Sequence, residues 1–256
     1  MLKVQFLGTG TSQGIPVIGS HHPVNFSTNP KDKRLRSSVL LSKNGKNLNI
    51  DCGPDFRYQM LRANVRSLEG ILFTHEHNDH VLGIDDTRSF IHFAQKPMDI
   101  FACPRTLGEI KTRFPYAFTE EKYPGAPSFT EHILDGSAFE FAGFDIEPLP
   151  ILHGKLPIYG FLIDKKFAYI TDASFISEEI LEKIKNVDVL VLNALRKVEK
   201  HHSHFTLEEA LEITSITQPK QAYFTHISLT IGFHDEVQAE LPENIFLAFD
   251  GLEIEI

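Results

Sequence analysis

The chain has 256 residues, 42% of them hydrophobic and 23% charged, with a formal net charge of −9 and two cysteines, Cys52 and Cys103. That apolar share is too high for a disordered chain, and the length suffices to bury a core without staples. The acidic balance excludes the basic footprint of a general nucleic-acid binder or a polybasic membrane face, and two thiols exclude a disulfide framework.

Residues 1–6 alternate apolar and polar side chains and predict a strand. They have neither the basic start nor the unbroken apolar stretch of a signal peptide, and no later run reaches the roughly 18 residues of a membrane span. We therefore expect a soluble cytoplasmic protein with no membrane partner and with free thiols, one bridge being the open alternative. Further strands are predicted at 38–41, 70–74, 99–102, 138–141, 144–149, 159–163, 167–171, 187–192, 221–225 and 245–249. Helices are predicted at 54–66, 80–94 and 177–185, and after Thr206, where Thr206-Leu207-Glu208-Glu209 has the capping-box form. Asp250-Gly251 separates the last strand from the alternating run 252–256, which predicts a terminal β-hairpin. No linker, repeat or low-complexity tract interrupts this order. A single layered α/β domain over 1–256 is expected.

Thirteen histidines stand beside thirty-four acids, a surplus that hints at metal. The informative segment is Phe73-Thr74-His75-Glu76-His77-Asn78-Asp79-His80, between a strand-like and a helix-like run. In an extended exit His75 and His77 share a side, while Asp79 and His80 turn over at the helix start toward a second position. Three imidazoles and a carboxylate so close would repel or lose hydrogen bonds without a cation, and together they suit zinc, manganese or iron. Three more strand-like runs end on a ligand type, at His153, Asp172 and His226. The expected set is His75, His77 and His153 on one ion and Asp79, His80 and His226 on the other, with Asp172 bridging.

H-x-H-x-D-H followed by a lone His, an Asp and a final His resembles the metallo-β-lactamase superfamily over nearly the whole chain. The resemblance implies an αββα sandwich of four layers with a dinuclear site at one edge of its two sheets. The opening Leu7-Gly8-Thr9-Gly10-Thr11-Ser12-Gln13-Gly14-Ile15-Pro16, the stretch Ile50-Asp51-Cys52-Gly53-Pro54-Asp55 and His201-His202-Ser203-His204 resemble the PhnP branch, and more distantly tRNase Z. Members of that branch commonly hold a structural zinc in a C-x-C-x-x-C loop with a distant His. The matching positions here are Ser20, His22 and Asn25, with His234 as fourth member, so no structural zinc is expected there. A residual His22–His234 site is left open.

Two divalent ions about 3.5–4 Å apart lower the pKa of a shared water toward neutrality and polarise an ester oxygen, so no side-chain nucleophile is needed. Asp79 would help fix the water. His204, just before the capping-box helix, is the candidate general acid, and the PhnP and tRNase Z resemblance implies a similar role for a His in this region. His201, Ser203 and Arg36 are expected to bind substrate. Lys33, Arg34 and Arg36 could hold a second phosphate or form a solvated face, and Arg88, after Asp85-Asp86, reads as a buried ion pair. The expected activity is cleavage of a small cyclic phosphodiester. The alternatives are a tRNase Z-like ribonuclease, against which the acidic charge stands, and a thioesterase or lactonase on the same scaffold. Diiron redox members of the superfamily typically carry Glu where this chain has His77, which favours hydrolysis. A homodimer is left open.

Overall fold

Runs such as 167–170 and 189–193 are apolar at nearly every position, and a strand of that kind needs both faces covered. The computed structural model, which describes residues 1–256, covers both. Its first sheet is built from β1 (Lys3–Gly8), β2 (Ser38–Lys43), β3 (Lys46–Ile50), β4 (Gly70–Leu72), β5 (Met98–Ala102) and β6 (Phe129–Ile133). The second holds β7 (Phe139–Phe141), β8 (Phe144–His153), β9 (Leu156–Ile163), β10 (Phe167–Ile170), β11 (Val189–Asn193), β12 (Gln221–Thr225) and β13 (Ile245–Leu247). Strand β14 (Glu253–Glu255) returns to the first, giving the orders β14-β1-β2-β3-β4-β5-β6 and β13-β12-β11-β10-β9-β8-β7.

Side-chain alternation sorts the core into layers. Phe6, Leu41, Leu48 and Ile50 from the first sheet meet Phe161, Phe167, Tyr169 and Val191 from the second. The opposite faces carry helices: α1 (Phe56–Arg62), α2 (Asn78–Val81), α3 (Arg88–Ala94), α4 (Pro104–Arg113) and α5 (Pro115–Phe118) belong to the first half of the chain. On the second sheet, α6 (Glu178–Lys183), α7 (Leu207–Thr217) and α8 (His234–Glu240) cover Ala168, Ile170, Leu190 and Leu192. The result is the four-layer αββα sandwich expected from the sequence. No helix is long and apolar enough to cross a membrane, and both thiols are free.

Several local expectations need correction. The terminal hairpin does not form: β13 lies parallel to β12, whereas β14 pairs antiparallel with β1 in the other sheet. Asp250-Gly251 is a turn, with Gly251 at φ +92°, but it carries the chain between sheets. Asp250 is held there by the Thr9 hydroxyl and the Leu35 amide, both at 2.8 Å. The helix expected at 80–94 breaks into α2, a 3₁₀ turn at Ile84–Thr87, and α3. Strands β3 and β6 and helices α4, α5 and α8 were not anticipated.

Candidate metal centre

Strands β10, β11 and β12 are mutually parallel, so their carboxyl ends lie along one edge, the place where open α/β sheets present their ligands. Asp172 follows β10 at φ +59° and His226 follows β12 at φ +54°. Asp51, following β3, shares this left-handed conformation at φ +62°. Non-glycine residues held there store backbone strain, typically about 1–3 kcal/mol each, and such strain gathers at functional sites. His153 closes β8, and His75 to His80 fill the passage from β4 into α2.

Three overlapping donor groups form, each with its ligand atoms within 4.8 Å of one another: His75, His77 and His153; Asp79, His80, Asp172 and His226; and His153, Asp172 and His204. Asp172 approaches His80 Nε2 at 3.3 Å and His226 Nε2 at 3.2 Å. The His75 and His80 rings are 4.2 Å apart between centroids, and His75 and His77 are 4.6 Å apart. All seven expected ligands are thus brought together.

The outer nitrogen of each buried ring is spoken for. His75 Nδ1 meets Thr74 Oγ1 at 2.9 Å, His80 Nδ1 meets Asp51 Oδ2 at 2.7 Å, His153 Nδ1 meets the Ser203 carbonyl at 2.8 Å, and His226 Nδ1 meets Ser37 Oγ at 3.2 Å. This is how metal-ligating histidines are oriented, and it turns each Nε2 inward. His75 Nε2 and His80 Nε2 are buried without a well-formed hydrogen bond, His80 Nε2 facing only the Asp79 and Asp172 carboxylates at 3.2 and 3.3 Å. Orphaned buried acceptors are costly, so these two atoms are the test of fit, and divalent cations satisfy them.

The electrostatics point the same way. Burial opposes charge on His80, yet Asp79, Asp172 and Asp51 outweigh it and hold its pKa well above the ordinary imidazole range. Burial alone would raise the Asp172 carboxyl, but His226 and His80 bring it well below the carboxylate range. Three carboxylates thus converge where positive charge is needed. His75 is held neutral, chiefly by burial and then by His80.

His204 also reaches the site: its ring is 4.6 Å from His153 and 4.9 Å from His226, and its unpartnered Nδ1 is 3.9 Å from Asp172 Oδ1. Burial and the neighbouring His226 push its pKa down to about 2. The His201 ring lies tilted, 5.0 Å from that of His204. Ser203 is buried and serves through its carbonyl, which orients His153, while its amide and hydroxyl turn to His201 Nδ1. Arg36 spends its guanidinium on Asp55, at 3.1 Å to both oxygens, and on the Ser12 carbonyl.

The three other basic positions, Arg34, Arg88 and Lys33, are each engaged within the chain. Arg34 is buried against Thr9 and the Ala248 carbonyl, and Arg88 pairs with Asp85 in a half-exposed bridge. Lys33 Nζ donates to the Asn25 carbonyl at 3.0 Å. Around Ser20, His22 and Asn25 the loop is tied by hydrogen bonds: Asn25 exchanges two with Val17 and donates one to the Ser20 carbonyl. His22 Nδ1 accepts from the Val24 amide, and His234 Nδ1 faces the Arg34 guanidinium at 3.0 Å.

Sequence reasoning missed three supports. Asp51 accepts from His80, the Thr74 amide and the Thr74 hydroxyl. Ser37 orients His226. Glu76, between two ligands, is gripped by Arg105 and Thr106 of α4, whose Arg113 also holds its carbonyl.

Residues 46–227 match the β-lactamase superfamily domain, and the chain belongs to that family. Its fold and donor set are those of a metal-dependent hydrolase. A crystal structure described as a new diphosphatase from the PhnP family is 36% identical, with a TM-score of 0.93, covering 100% of this chain and 98% of that one. An octanoyltransferase of Porphyromonas gingivalis is 38% identical over 254 residues, 98% of this chain and 51% of that protein. A ribonuclease Z of Bradyrhizobium diazoefficiens is 30% identical over 166 residues, 63% of this chain and 50% of its own. The chain thus spans about half the length of these curated relatives.

Proposed function

We propose that the chain hydrolyses a phosphodiester or diphosphate bond in a small molecule, a cyclic phosphodiester being the first candidate. The observation that carries this is the pair of adjoining donor groups, His75, His77 and His153 beside Asp79, His80, Asp172 and His226, with His75 Nε2 and His80 Nε2 buried among them. Two divalent ions bound there would supply a water of lowered pKa and neutralise the charge of an in-line displacement. His75, His77 and His153 would hold one, and Asp79, His80 and His226 the other, with Asp172 between them. Asp79, half-buried in its group, would accept a hydrogen bond from the attacking water. His204 stands where a leaving oxygen could receive its proton. Its resting surroundings oppose the charged ring, so that role belongs to the complex with an anionic phosphate, whose charge would favour the imidazolium.

The diphosphatase named among the structural relatives supports phosphoryl over acyl chemistry. The octanoyltransferase name belongs to a protein twice as long as the match. In this chain Cys52 is buried and its thiol pKa raised, chiefly by burial, so it offers no nucleophile for acyl transfer. The test is a panel of bis(p-nitrophenyl) phosphate, a nucleoside 2′,3′-cyclic phosphate, a dinucleoside diphosphate, p-nitrophenyl octanoate and precursor tRNA, with manganese or zinc supplied. We expect turnover of the small phosphate substrates, and in His204→Ala a larger loss with alkoxide than with nitrophenolate leaving groups. Preferential cleavage of the octanoate or of precursor tRNA overturns the reading, and equal loss with both leaving groups overturns the His204 role.

A further inference from the structure

We propose that Thr11 is a further catalytic residue, whose hydroxyl donates a hydrogen bond to a non-bridging oxygen of the phosphoryl group being cleaved; this rests on the phosphate-hydrolase reading above. Thr11 belongs to the opening stretch 7–16, which no step of that reading uses. Its backbone runs between Ile227, just after β12, and Leu35, just before β2. The Gly10 amide donates to the Leu35 carbonyl at 2.8 Å, the Thr11 amide to the Ile227 carbonyl at 3.0 Å, and the Ile227 amide to the Thr9 carbonyl at 2.9 Å. A Cβ on Gly10 would lie 3.0 Å from the Arg34 and Leu35 carbonyl oxygens, so glycine permits this close approach. The Gly14 amide, at φ +64°, ties down the Thr11 carbonyl at 2.8 Å. Thr11 is thus held on both sides, and it is buried.

Its hydroxyl lies 3.1 Å from His226 Nε2, and Asp172 Oδ1 stands 3.2 Å from the same nitrogen. The far end of the ring decides which group donates there. Ser37 Oγ gives its one proton to the Gly10 carbonyl at 3.0 Å, so toward His226 Nδ1, 3.2 Å away, it accepts. The ring proton therefore sits on Nδ1, and Nε2 turns a lone pair to its neighbours. Asp172 is itself an acceptor, which leaves the Thr11 hydroxyl as the donor. Thr11 Oγ1 makes no other hydrogen bond. A nitrogen that ligates has no lone pair left to accept, and burial keeps the Thr11 proton from bulk solvent. Its outlet is then an oxygen of a substrate seated beside His226. A non-bridging phosphoryl oxygen, on which charge builds during in-line displacement, gains most from such a donor.

The test compares manganese-loaded wild type with Thr11→Val, of nearly the same shape, and Thr11→Ser, which keeps the hydroxyl. Metal content is read by elemental analysis, binding of inorganic phosphate by calorimetry, and kcat and KM with bis(p-nitrophenyl) phosphate. Thr11→Val should hold about two ions, as a two-metal site requires. It should bind phosphate about tenfold or more weakly and lose about as much in kcat/KM, chiefly in kcat, on the order of one hydrogen bond to a charged group. Thr11→Ser should restore both to within about threefold of wild type. Phosphate affinity or kcat/KM in Thr11→Val within about twofold of wild type overturns the proposal. Metal lost together with turnover also overturns it, since Thr11 would then only support His226, as does a Thr11→Ser no better than Thr11→Val. Thr11-dependent phosphate binding by a protein that does not hydrolyse the diester supports the contact and overturns the hydrolase reading.

Discussion

Asp51 shows how much of this centre depends on a residue that is not itself a ligand. One of its oxygens takes both the Thr74 hydroxyl and His80 Nδ1, and the other takes the Thr74 amide. Asn can mimic the acceptor but presents an N–H₂ where the second oxygen stood, so one contact is lost or the side chain must turn. We expect Asp51→Asn to keep the fold by circular dichroism while weakening metal binding about 10–100-fold in competition with a chelator. Affinity within twofold of wild type would show that the carboxylate does not orient the ring. Asp51 was within reach of the sequence, as part of Ile50-Asp51-Cys52-Gly53-Pro54-Asp55, yet its role needs a partner 29 residues away. Ser203 illustrates a different limit, because the working group is a backbone carbonyl and any side chain could in principle supply it.

At the scale of elements, α2 delivers Asp79 and His80 only because two glycines let backbones touch. A Cβ on Gly83 would lie 2.0 Å from the Gly53 carbonyl oxygen, and one on Gly53 would lie 2.1 Å from that of Asp79. Gly108, inside α4, has nothing within 4 Å of that position. Gly83→Ala should therefore destabilise by about 1–3 kcal/mol or more, as overpacking does. Gly108→Ala should instead stabilise by up to about 1 kcal/mol through helix propensity. Thermal unfolding distinguishes them, and a Gly83→Ala melting point at or above wild type would contradict the contact.

Elements with a strong local period were legible: β10, β11 and β12 as apolar runs, and α7 from its capping box, which forms with Thr206 Oγ1 accepting from the Glu209 amide. Strand β6 escaped because Phe129–Ile133 is a partly exposed edge strand with no apolar run, and α4 because Gly108 interrupts a signal that Pro104 at its start does provide. Asp250-Gly251 misled because turn chemistry is local, whereas the choice of sheet is made by the partners of Asp250 across the molecule.

For the molecule as a whole, the H-x-H-x-D-H segment made half of the centre legible because those ligands lie within six residues. The remainder, His153, Asp172 and His226, follow or end three strands of the second sheet, whose common edge exists only once that sheet is assembled; the sequence offered them as ends of strand-like runs and through the family resemblance. The two buried Nε2 atoms and the three converging carboxylates are the balance that folding leaves unsettled, and cations complete it. The most direct measurement is metal content per chain by elemental analysis, with turnover of bis(p-nitrophenyl) phosphate followed in the same samples. Wild type purified with manganese or zinc should retain about two ions per chain, as a two-metal site requires, and Asp172→Ala should lose both metal and turnover. Full turnover in protein stripped of metal by a chelator would contradict the account.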